Sequence, residues 1–136
     1  MPAEWFVKFV RGKRLEARLL GEVAQYFGVS LSAAALRYAE IGTHPVAVIM
    51  SKDGKVKWCR INKDFTFKFI RTGSEVKELS YSYEFFKGER IPDQPDKILA
   101  DAWFAEAYGY KPNYYLYEQN IPMYNYNAVL TLVWDK

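Results

Sequence analysis

Histidine and cysteine occur once each in these 136 residues, as His44 and Cys59, and that scarcity excludes a good deal of chemistry. A protein-borne zinc site needs several His, Cys or carboxylate ligands at set spacing. A Ser or Cys nucleophile needs a base, and His44 is the sole imidazole on offer. His44 stands before Pro45 in a connecting turn, where a surface or capping role fits it. With Cys59 alone no internal disulfide can form, which points to a reducing compartment; in the run from Lys55 to Ile61 this residue reads as a small buried hydrophobe. No Gly-rich loop follows a strand and opens a helix, so a phosphate cradle of that kind is missing. Asp93 with Asp96, and Asp101 with Glu106, are carboxylate pairs that any charged loop or helix produces. No catalytic residue, metal ligand or cofactor is therefore expected. No stretch approaches the length of a membrane span, and the start Met1-Pro2-Ala3-Glu4-Trp5 has no apolar core behind a basic leader, so the expectation is a cytoplasmic protein without a membrane partner.

What is present is ample material for a core: half of the residues are apolar and 18% are aromatic, far from the composition of a disordered chain. Trp5, Phe6, Phe9 and Val10 recur at helical spacing after Pro2, which suits a first helical turn. Leu15, Leu19, Leu20, Val23, Ala24 and Phe27 form a second stripe closed by Gly28, and Ser30 caps a third helix from Leu31 to Ile41 that stops at Gly42. Residues 1–43 thus read as a helical segment with a helix-turn-helix pattern.

From residue 44 to 136 the period becomes strand-like. Val46 to Ser51 and Lys55 to Ile61 flank Asp53-Gly54, a strong hairpin signal. Alternation predicts further strands at Phe65 to Phe69, Leu79 to Phe86, Tyr114 to Gln119 and Asn127 to Trp134, with a connection at Asn120-Ile121-Pro122. Asp96 to Tyr108 carries a helical apolar pattern. The nearly unbroken apolar run Ala128 to Trp134 predicts a strand covered on both faces. The expected fold class is α+β, a helical segment followed by a mainly antiparallel sheet with a flanking helix.

Three groups of side chains are candidate contact sites. Trp103, Tyr115, Tyr117 and Tyr124 belong to a tyrosine-rich C-terminal quarter in which rings line a small-molecule pocket or simply suit half-buried strands. Trp5, Phe6, Leu31 and Leu36 form an apolar surface for a protein partner. Arg11, Lys13, Arg14 and Arg18 gather part of the +3 net charge (19 basic against 16 acidic residues) and would contact phosphates if the chain bound DNA. The third helix, however, offers Ser30, Leu31, Ser32, Ala35 and Leu36 where major-groove readers use Arg, Asn, Gln or Lys, so nucleic acid is the weaker choice.

Met1 to Phe6, Val23 to Gly42 (VAQYFGVSLSAAALRYAEIG), Val46 to Arg60 and the closing Ala128 to Trp134 together resemble the region downstream of the active site in the ImmA/IrrE metallopeptidase-like family. The resemblance implies a helix-turn-helix followed by a GAF- or PAS-like sensor domain, the non-catalytic half of a regulator of stress response or of phage-repressor cleavage. It also implies a peptidase-like protein partner. That family's HExxH helix would lie before residue 1, so no catalytic position carries over; an upstream HExxH would instead make the chain part of a metallopeptidase. The function expected is a non-enzymatic sensory module that binds a small molecule or a protein, with a DNA-binding regulator as the alternative.

Overall fold

The computed structural model describes residues 1–135. Helices α1 (Ala3–Val10), α2 (Ala17–Phe27) and α3 (Leu31–Ile41) come first, followed by the hairpin of β1 (Ala47–Lys52) and β2 (Lys55–Ile61). A short helix α4 (Tyr81–Phe86), strand β3 (Asp96–Leu99), two 3-10 turns (Ala100–Ala102 and Ala105–Gly109) and the strands β4 (Tyr115–Met123) and β5 (Ala128–Trp134) complete the order. The strands make one open sheet, β2-β1-β5-β4-β3, in which every pairing is antiparallel. The fold class is α+β, as the change of period near residue 44 implies.

Local signals held where short-range chemistry decides. Gly28 closes α2 in the left-handed region (φ 67°), and the Ser30 hydroxyl accepts from the Ala33 amide at 3.0 Å to cap α3. Asp53 and Gly54 both take positive φ, 52° and 80°, as the tight turn between β1 and β2 requires. Gly42 ends α3 for a different reason. Its φ is ordinary, but a Cβ there would lie 2.5 Å from the Tyr38 ring.

Four expectations fail, each for a tertiary reason. Phe65 to Phe69 forms no strand: the amides of Lys68 and Phe69 donate to the Glu106 side chain at 2.9 and 2.8 Å, while Phe65 and Phe67 are buried as core rings. Leu79 to Phe86 is not a strand, because Ser80 caps a helix by accepting from the Tyr83 amide and so buries Ser82 and Phe85 on one side. Asp96 to Tyr108 is not a helix, since its first four residues pair with β4, Ile98 opposite Leu116, and the remainder folds as 3-10 turns. The connection placed at Asn120-Ile121-Pro122 is strand: β4 runs on to Met123 and the turn falls at Tyr124–Tyr126. Pro122 is tolerated because β3 ends opposite Glu118, which leaves β4 with a neighbour on one side only.

Strand β5 sits between β1 and β4 and is buried along its whole length, as the apolar run predicts. On one face Val48, Leu130, Leu132 and Trp134 meet Phe6, Val10, Leu20, Val23, Ala35 and Tyr38 of the three helices. On the other, Ala47, Ile49, Leu116 and Val133 meet Phe65, Phe67, Ile98, Trp103 and Phe104. The helical segment and the sheet therefore share one apolar core. Phe6 has no exposed surface, so it cannot touch a partner as expected for it; neighbouring Trp5, 62% exposed, can. Phe6→Ala should cost about 3–5 kcal/mol in urea unfolding, whereas Trp5→Ala should stay within about 0.5 kcal/mol.

Candidate functional site

Two polar clusters stand out against this core, one sealed and one open. The sealed cluster forms on the face covered by residues 62–114. The Glu118 carboxylate, 1% exposed, accepts from Trp103 Nε1 at 2.7 Å, from the Ser82 amide at 3.0 Å and from Asn120 Nδ2 at 2.7 Å. Thr131, the cross-strand neighbour of Asn120, donates to Asn120 Oδ1 at 2.7 Å, and the Ser82 hydroxyl lies within hydrogen-bonding distance of both. Burial raises the Glu118 pKa above its ordinary value of 4.5, and the hydrogen bonds from Asn120, Trp103 and Ser82 oppose that shift. Among the described residues no cation enters the network. Since Ser82, Trp103, Glu118, Asn120 and Thr131 are all buried, the cluster has no route to a solvent-borne ligand; it ties α4 and the first 3-10 turn to the sheet.

The open cluster lies where the helical layer meets the end of the sheet, in a cleft of about 580 Å³. Its first wall is the α1–α2 connection. Gly12 turns the chain at φ 74°, and buried Val10 and Leu15 anchor the loop on either side, which holds Lys13 and Arg14 outward between them. The second wall is Gln94-Pro95, and the third is Thr43-His44, the exit from α3. Tyr117 of β4 and Trp134 of β5 supply the aromatic surface: they are cross-strand partners with ring centroids 6.1 Å apart and planes inclined by 34°.

One buried side chain holds two of these walls. Gln119 Oε1 accepts from the Ala17 amide at 2.7 Å, capping α2 where Glu16 offers no side-chain cap, and its Nε2 donates to the Asp93 carbonyl at 3.0 Å. The third wall is tied separately, by His44 Nε2 against the Asp135 carbonyl oxygen at 2.8 Å. The Tyr114 hydroxyl donates to the Asp135 carboxylate, a bond that together with burial pushes the Tyr114 pKa up to about 12. Lys13 Nζ sits 3.7 Å from the centroid of the Phe9 ring, a cation–π contact. The ion pair among the described residues is Arg60 with Glu40, so Arg14 reaches the cleft without a carboxylate partner.

The expected groups of site residues are dispersed. Of the four pocket rings only Tyr117 enters the cleft: Trp103 is buried and bonded to Glu118, Tyr115 lines a separate shallow groove with Tyr81 and Leu99, and Tyr124 stands 77% exposed at the β4–β5 turn. Only Tyr115 and Tyr117 stand on a strand, two residues apart in β4, whereas Trp103 follows the first 3-10 turn and Tyr124 lies in the β4–β5 turn. Leu31 and Leu36 are half-buried, and Leu31 packs on the helical core. Arg11, Lys13, Arg14 and Arg18 are all exposed, but only Lys13 and Arg14 line the cleft. Helices α2 and α3 meet at 108°, a helix-turn-helix angle, yet α3 lies against β1 and β2, and its one exposed residue is Glu40. That helix is not free to enter a major groove.

His44, Gln94, Gln119 and Trp134 escaped the sequence reading as site residues. The cleft is assembled from five separate chain segments, and no local pattern announces such an assembly. The Glu-Gln-Asn run at 118–120 did carry a signal, three polar residues in a stretch that turns out to be buried strand. Among the described residues no three His, Cys, Asp or Glu groups converge to hold a metal ion, and no single helix is long and apolar enough to cross a membrane. No protein-family model and no curated protein matches the chain.

Two outcomes test the sealed cluster. The folded protein keeps a proton on Glu118 that the unfolded chain releases near pH 4.5, so this contribution to stability is complete below that pH and is lost as pH rises through the raised folded-state value. Denaturation midpoints recorded across pH should show that fall, and Glu118→Gln, which cannot titrate, should remove it. Trp103→Phe takes away the donor to Oε1 and should destabilise by about 1–3 kcal/mol at constant pH.

Proposed function

We propose that this protein is a non-enzymatic regulatory or sensory module that acts by holding a small molecule in the cleft between the α1–α2 loop and the end of the sheet. The observation that carries the reading is the convergence of Lys13, Arg14, His44, Tyr117 and Trp134, distant in sequence, around about 580 Å³ of concave space. That volume falls in the range of small-molecule sites, which join an apolar or aromatic surface to a few placed polar groups. The walls are tied by Gln119 and His44 rather than left to pack loosely, so the shape is present before any ligand arrives. The resemblance of the helical and closing strand segments to the regulatory half of ImmA/IrrE-type proteins agrees with a sensory role, and the antiparallel sheet agrees with a GAF- or PAS-like scaffold. We place the module in the cytoplasm on the strength of its lone thiol.

A protein partner is the second reading, favoured by an aromatic strip on the helical layer. Trp5 and Phe9 are one helical turn apart on α1, the Tyr26 ring lies tilted with its centroid 4.7 Å from that of Phe9, and both Trp5 and Tyr26 are largely exposed. A peptidase-like subunit is the partner that the family resemblance implies.

A fragment library screened by NMR on the isotope-labelled protein separates the two. The expected outcome is shifts concentrated at 12–15, 43–44, Tyr117 and Trp134, and the loss of those shifts in Tyr117→Ala. Hits confined to Trp5, Phe9 and Tyr26, or no hits at all, would remove the small-molecule reading.

A further inference from the structure

The geometry points to a specific ligand class for this cleft: a small anion built on a flat ring, its ring against Tyr117, which Trp134 braces, and its acidic group met by Arg14. The inference rests on the small-molecule reading above and adds the sign of the charge and the shape.

The charge follows from an inventory of the lining. Its charged or titratable side chains besides Tyr117 are Lys13, Arg14, His44 and Asp135. Three have internal engagements: Lys13 over the Phe9 ring, His44 on the Asp135 carbonyl, and the Asp135 carboxylate under the Tyr114 hydroxyl. The acid of the cleft is thus already committed, whereas Arg14 presents a guanidinium that forms no ion pair among the described residues. A guanidinium in that position offers a planar fork of donors, which a carboxylate or phosphate oxygen pair satisfies and a cationic or neutral ligand does not. Lys13 next to it adds positive potential of the same sign.

The ring requirement follows from the sheet. Tyr117 and Trp134 are locked side by side by the β4–β5 register, and nearly buried Trp134 braces the half-buried Tyr117 ring, which is the aromatic surface open to a flat group and needs no reorganisation to receive one. A bare inorganic anion would leave that surface wet and most of the 580 Å³ empty. Thr43 and Gln94, on separate walls, supply hydroxyl and amide groups for polar atoms at the ring edge.

The test uses the full chain in calorimetric titrations at low salt, with adenosine 5′-monophosphate and indole-3-acetate as ring-bearing anions. Adenosine, indole-3-ethanol and inorganic phosphate are the controls. At least one anion should bind about tenfold more tightly than its neutral counterpart, and the better of the two tells phosphate from carboxylate as the preferred group. Arg14→Ala, an exposed change that leaves the circular dichroism spectrum intact, should weaken that anion by about fivefold and leave the neutral ring unaffected. Tyr117→Ala should weaken both. Equal affinity for neutral and anionic rings, equal affinity for phosphate alone, or indifference to Arg14→Ala would overturn the inference. Silence from all five probes while fragments still shift the cleft resonances would also overturn it and leave the small-molecule reading standing; silence in both experiments would remove that reading too.

Discussion

A strand buried on both faces needs two covers, and much of this molecule follows from supplying them to β5. Every residue from Ala128 to Trp134 is removed from solvent, and β1 and β4 take up its backbone hydrogen bonds on either side. One cover is made from the start of the chain, as three helices whose apolar stripes lie across Val48, Leu130 and Leu132. The other comes from the long excursion between β2 and β4, which has little regular structure and compensates with rings: Phe65, Phe67, Trp103 and Phe104. Loss of either cover would put a row of Val and Leu side chains in water.

The second cover poses a difficulty that the first does not. A loop-rich layer carries backbone and side-chain polar groups into the interior, and each needs a partner there. The β4–β5 pair provides them. Glu118, Asn120 and Thr131 stand in the middle of an apolar sheet face and accept or share the hydrogens of Ser82 and Trp103, while Glu106 collects the amides of Lys68 and Phe69 near the surface. These bonds add modest net stability, but leaving any one of them unmade would be costly, so they specify how the irregular layer sits.

The cleft is a by-product of the same two-sided arrangement. At the end of the sheet where Tyr117 and Trp134 pair, the α1–α2 loop, the exit from α3 and Gln94-Pro95 border them at the margin of the helical core. Gln119 and the His44–Asp135 contact keep those loops at a distance from one another, and the basic α1–α2 turn gives the opening its sign. The cleft thus sits at the margin of the packed layers.

Residues acting on near neighbours were legible from sequence: the αL closure at Gly28, the Ser30 cap, the Asp53-Gly54 turn, and the uniform burial announced by AVLTLVW. These depend on φ, on one short hydrogen bond or on the number of apolar neighbours, all set within a few residues. What the tertiary structure decided is wherever two local conformations compete at similar cost. Phe65 to Phe69 forms no strand, and its Lys68 and Phe69 amides are taken by Glu106; Asp96 to Leu99 abandoned a helical pattern because β4 offered an edge; Leu79 to Phe86 became helical once Ser80 found the Tyr83 amide. The site belongs to the same category, since bringing 12–15, 43–44, 94–95, Tyr117 and 134–135 together requires the strand order and the packing of both layers, which spacing along the chain does not encode.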